Sequence, residues 1–108
     1  MANTFKSNVS ANIVTSGNTI YTCPSATQTT LIGMTLSNKS AGIVTANVYL
    51  TRSSIDYSLI SNAPILTGST LVPVGGDQKV VLQAADVLKV TTSANGSVDV
   101  ITSLLEIA

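Results

Sequence analysis

The chain has 108 residues, no formal net charge and charged side chains at only 9% of positions, against roughly 25% in ordinary soluble domains. That length suits a single hydrophobic core. The five basic residues, Lys6, Lys39, Arg52, Lys79 and Lys89, are scattered singly, which argues against the clustered cationic groove that tracks nucleic-acid phosphates.

Polarity is carried instead by Ser, Thr and Asn, in runs such as Thr27-Gln28-Thr29-Thr30 and Ser37-Asn38-Lys39-Ser40. Hydroxyl and amide side chains suit the exposed faces of strands and turns, whereas soluble helices are rich in Glu, Lys and Arg. Residues 1–10 have only Phe5 and Val9 as apolar anchors and are expected to form an N-terminal arm ahead of a domain over 11–108. They contain no apolar signal-peptide core, and no apolar run reaches membrane-spanning length. The expected product is therefore a soluble chain made in the cytoplasm of its host, with no membrane partner.

Short strands are predicted at 12–15 and 19–22, separated by Gly17. The clearest strand is 30–36, where Ile32, Met34 and Leu36 alternate with Gly33 and Thr35. After a polar turn at 37–42 the alternation resumes over 43–51 through Val44, Ala46, Val48 and Leu50, so these two segments are expected to pair as an antiparallel hairpin. Further short strands are predicted at 57–61, 64–66 and 70–72, punctuated by Gly68 and Gly75-Gly76. Segments 79–83 and 87–92 flank the turn Ala84-Ala85-Asp86, and 98–107 closes the chain. Asn95-Gly96, between the last two strands, is the strongest hairpin signal present.

About eight short strands with no helical period describe an all-β, single-domain antiparallel β-sandwich, immunoglobulin-like or jelly-roll-like. Its expected core is Ile32, Met34, Leu36, Val44, Val48, Leu50, Val80, Leu82, Leu88, Val90, Val98 and Val100.

Chemistry-bearing groups are sparse. There is no histidine, which removes the usual general base and the commonest transition-metal ligand. The carboxylates Asp56, Asp77, Asp86, Asp99 and Glu106 never cluster in sequence, so no glycosidase pair or calcium loop is indicated. Cys23 has neither a partner cysteine nor an activating neighbour and reads as an inert, buried thiol. Val74-Gly75-Gly76-Asp77 lacks the Lys-Ser/Thr and helix of a phosphate loop and reads as a turn. Asp86 is expected to hold its own turn by accepting backbone N–H groups. Asn-x-Ser triplets at Asn8, Asn38 and Asn95 are what an Asn- and Ser-rich chain produces by chance. No catalytic, cofactor-binding or metal-binding residue is assigned. Tyr49, on the outward side of its strand, is the aromatic candidate for an interface.

The opening Met1-Ala2-Asn3-Thr4-Phe5-Lys6, the segment 19–27, the unit Leu82-Gln83-Ala84-Ala85-Asp86-Val87-Leu88-Lys89-Val90 and the closing strand resemble small virion structural proteins of tailed bacteriophages, of the kind found in phages of marine bacteria and cyanobacteria. The resemblance implies a non-enzymatic virion component without a cofactor. It further implies a capsid decoration, or cement, protein that bridges major capsid subunits on the head exterior. A neck, tail or fibre module that contacts a host surface is the alternative. Near-zero charge and unprotected strand edges point to self-association, as a homo-oligomer such as a trimer or through the N-terminal arm.

Overall fold

The computed structural model describes residues 3–74 and 79–108, and among them it is all-β. The nine strands are β1 (Asn3–Ser10), β2 (Asn18–Thr22), β3 (Gln28–Asn38), β4 (Val44–Arg52), β5 (Ile55–Ile65), β6 (Thr70–Val74), β7 (Val80–Leu82), β8 (Val87–Thr92) and β9 (Val98–Ile107). One sheet runs β1-β9-β3-β6, with β7 also paired to β3, and the other runs β2-β8-β4-β5. Every pairing is antiparallel. β6 lies along residues 34–37 of β3 and β7 along residues 29–31, so the two share one edge end to end. This order, with most consecutive strands in opposite sheets, is that of a jelly roll.

Both expected hairpins are corrected by this topology. β3 and β4 lie in different sheets, as do β8 and β9. Residues 39–43 and the Asn95-Gly96 turn are therefore arches across the core. Alternation shows which face of a strand is buried, and an arch and a hairpin both present that face to the same core. In the first arch the buried amide of Asn38 donates to the carbonyls of Gly42 at 2.8 Å and Ile65 at 2.9 Å, while its oxygen accepts the Ser40 N–H at 2.9 Å. The chain is thereby turned off its sheet without leaving buried polar groups unpaired.

Among the described residues, the hairpin that does form joins β4 to β5, with Arg52 opposite Ile55. Its two loop residues, Ser53 and Ser54, have φ of 53° and 63°, the paired left-handed conformation of a type I′ turn. The predicted strands at 57–61 and 64–66 are one continuous strand, β5, kinked where Asn62 adopts φ of 51° and the register shifts. Residues 12–15 are a connection rather than a strand, although Ile13 is fully buried.

The core contains Met34, Leu36, Val44, Val48, Leu82, Leu88, Val90, Val98 and Val100, as expected, together with Ile13, Leu31, Val74 and Leu104. Leu50 and Val80 pack at its margin. Ile32 is corrected: it is only half-buried. Between Leu31 and Gly33 the β3–β9 register shifts by one residue, and that bulge places Leu31, not Ile32, in phase with the interior. A second bulge at Ile20 in β2 buries Ile20 and Tyr21 in succession. Gly17 is required at its turn: its φ is 101°, and a β-carbon there would stand 2.9 Å from the Thr91 methyl. Residues 75–78 of the expected Gly-rich turn lie outside the described residues, as do Met1 and Ala2.

Candidate assembly interface

The two sheets bury similar apolar faces against each other but turn different faces outward. On the first sheet, residues that alternate with the core positions form two apolar rows. Phe5 stands opposite Leu105, Leu105 opposite Thr30, and Thr30 opposite Val81. In the second row Val9 faces Ile101 and Ile101 faces Thr35, and Val72 is exposed on the neighbouring β6. Phe5, Val9, Val72, Val81 and Ile101 are each more than half exposed. Apolar side chains grouped on one sheet face, rather than scattered singly, are the usual mark of a contact surface.

The outward face of the second sheet is polar. Tyr49 lies opposite both Lys89 and Ser58, and Asn47 donates to Thr91 Oγ1 at 3.0 Å. Lys89 stands 3.8 Å from Asp56. Tyr49 thus belongs to the polar side, half-buried at the rim of a shallow depression formed with Thr19, Asp56, Lys89 and Thr91.

The remaining candidates serve the framework. Asp86 is buried at the β7–β8 arch and accepts the Gln83 N–H at 2.7 Å, as expected of a turn carboxylate. It also takes two bonds from Arg52, which sequence reading missed because the residues are 34 positions apart. These bonds hold its carboxyl below the ordinary range, the Arg52 contact contributing most. Asp99 pairs with Lys39 at 2.9 Å. Glu106 accepts a very short hydrogen bond from the Tyr21 hydroxyl and lies 3.3 Å from Lys6. Burial, followed by the Glu106 contact, pushes the Tyr21 phenol up to about 12. Cys23 is buried beside the Thr27 carbonyl and Thr29 hydroxyl, both at 3.4 Å.

Each described carboxylate therefore has a structural partner, and no three acidic, Cys or His side chains group as metal ligands among the described residues. Asp77 lies outside them. All three Asn-x-Ser amides are similarly engaged, Asn8 with the Ile20 carbonyl at 3.1 Å, Asn38 in its arch, and Asn95 through its oxygen, which accepts the Thr15 N–H at 2.7 Å. No described helix is long and apolar enough to cross a membrane.

No protein-family model matches the chain, and no curated protein matches it in sequence. Solved structures of similar fold include the following two. One is a chain of Bacillus endospore appendages, a family of disulfide-linked pili, with a TM-score of 0.55 and 11% identity over 100% of this chain and 91% of that one. The other is a chain of the T13 IBDV viral particle, with a TM-score of 0.53 and 10% identity over 96% of this chain and 30% of that one. The shared property is the two-sheet fold. At these identities the likeness concerns the path of the backbone, and no side-chain role passes between the proteins.

Proposed function

We propose that the chain is a non-enzymatic structural component of a virion, made in the host cytoplasm and assembled as a decoration protein on the outside of a phage head, where it bridges major capsid subunits. The observation that carries this reading is the contrast between the two outward faces: exposed apolar rows on the β1-β9-β3 side and a polar face on the β2-β8-β4 side. A protein laid on a lattice has one side that loses water and one that keeps it, and burial of the apolar rows supplies attachment without ion pairs. The similar folds come from a virus particle and a pilus, and that supports an assembly role over a soluble catalyst.

A neck, tail or fibre position is the second reading. It is favoured by the elongated outline, 46 × 27 × 22 Å, which suits end-to-end stacking. Immunogold labelling of particles carrying an epitope-tagged copy tests both. Label spread over the head supports decoration, label confined to one vertex or to the tail supports the second reading, and particles without label refute both.

A further inference from the structure

Among the described strands, β1 is the only one that buries no side chain in the core. It is held by eight register pairs along β9, from Asn3 opposite Ile107 to Ser10 opposite Val100. The Lys6–Glu106 ion pair and the Asn8 contacts with Ile20 and Thr102 supplement that ladder. β1 covers the edge of β9 but contributes none of the buried apolar residues.

The attachment of β1 to the sandwich is short. Ile13 is locked, its N–H donating to the Val98 carbonyl at 3.0 Å and its carbonyl accepting the Gly96 N–H at 3.1 Å. Only Ala11 and Asn12 separate it from β1, and Asn12 sits at φ of 57°, in the left-handed region. A short connection ahead of a strand without core side chains favours exchange of that strand between identical chains.

We propose that β1 is exchanged between copies, residues Asn3–Ser10 of one chain pairing with β9 of the next. The occupant of the β9 edge is a second copy because the pairing already present defines the fit, residue by residue. Eight extended residues span roughly 26 Å, a long stretch of β9 edge for them to cover on the next copy. In the exchanged form Phe5 and Val9 of one copy lie beside Leu105 and Ile101 of its neighbour, so the apolar rows run on from chain to chain. The arrangement is head-to-tail and gives a ring if the rotation closes and a row if it does not. This deepens the assembly reading and rests on self-association.

The test is disulfide trapping in the full chain. Ser7 and Ser103 are exposed and directly opposite, so a Ser7→Cys/Ser103→Cys variant reports which chain supplies β1. Val9→Cys/Ile101→Cys is a second register pair for the case in which the first variant folds poorly. Oxidation of the associated protein is expected to give a ladder of covalent multimers on denaturing gels. Mixing differently tagged Ser7→Cys and Ser103→Cys chains is expected to give the mixed disulfide. Inserting four Gly/Ser residues between Ala11 and Asn12 should relax the hinge and convert the ladder to intrachain crosslinks. Intrachain crosslinks alone in protein that still associates by light scattering would overturn the exchange and leave the assembly reading standing. Intrachain crosslinks in a monomer at every concentration would overturn both, and no crosslink at either register pair would overturn the exchange.

Discussion

Arg52, the last residue of β4, grips the Asp86 carboxylate through Nε–Oδ1 at 2.9 Å and Nη2–Oδ2 at 2.5 Å. The two bonds tie the end of the β4–β5 hairpin to the β7–β8 arch, with Asp86 buried and Arg52 partly in solvent. Bidentate guanidinium–carboxylate pairs of this kind are among the stronger polar contacts.

Replacing Asp86 with Ala removes the acceptor of the Gln83 N–H as well as the Arg52 partner. We expect a loss of about 1–3 kcal/mol in denaturant-midpoint measurements, and a smaller loss for Asp86→Asn, which can still accept from Gln83. The lowered carboxyl pKa also sets a pH dependence. The ionised form is favoured in the fold, so this stabilisation is complete above the ordinary carboxylate range and fades as pH falls through the lower folded value. Arg52→Ala should flatten that acid limb of the stability curve.

Tyr21 works in the opposite sense. Its phenol is raised from 10.0 to about 12 in the fold, so the protonated form is favoured and its contribution is complete below pH 10. Stability should decline as pH rises from 10 towards 12, by at most about 3 kcal/mol for a shift of two units. Tyr21→Phe should lower stability at neutral pH, through loss of the bonds to Thr29 and Glu106, and remove this part of the alkaline decline. An unchanged alkaline limb in Tyr21→Phe would show that another group sets it.

The bulge at Ile32 separates two neighbouring residues that look equivalent in sequence. Leu31→Ala should cost about 2–5 kcal/mol, as deletion from a packed interior does, whereas Ile32→Ala should cost distinctly less. Chemical denaturation of the two variants side by side checks the phase of β3 in solution.

Ser53 and Ser54 occupy left-handed positions that Asn and Gly fill with less strain. Ser53→Asn with Ser54→Gly should therefore raise stability, by about 0.5–1 kcal/mol for a backbone better matched to its conformation. Calorimetry of the double variant would register this as an upward shift of the thermal midpoint.

For the apolar face, Ile101→Asp is expected to leave the thermal midpoint nearly unchanged, since Ile101 is exposed, while abolishing self-association or attachment to particles. Association of the unsubstituted protein should fall only modestly between low and high salt, because the apolar rows hold no ion pairs and the exchanged strand brings a single one, Lys6–Glu106, for salt to screen. Sedimentation across a salt series measures both effects.

The alternating residues of β3, β4, β8 and β9 mark strands and most of the interior in the sequence itself, because a period of two follows directly from the pleat. Low charge and the absence of histidine are likewise plain in the sequence and point to surfaces rather than to a reaction centre. Other features were illegible for stated physical reasons. Ser53-Ser54 is a hairpin turn without the usual turn residues, while Asn95-Gly96, which has them, makes an arch. Local turn chemistry specifies a reversal of the chain but not the sheet in which the next strand is received. The Arg52–Asp86 pair and the Tyr21–Glu106 contact join residues 34 and 85 positions apart, and no local pattern encodes such meetings. The apolar rows of Phe5, Leu105 and Val81, and of Val9 and Ile101, come from separate strands whose outward residues look unremarkable one by one. Only the register of β1 on β9 and of β9 on β3 sets them side by side, because neighbours across a sheet are chosen by hydrogen-bonded pairing and not by distance along the chain.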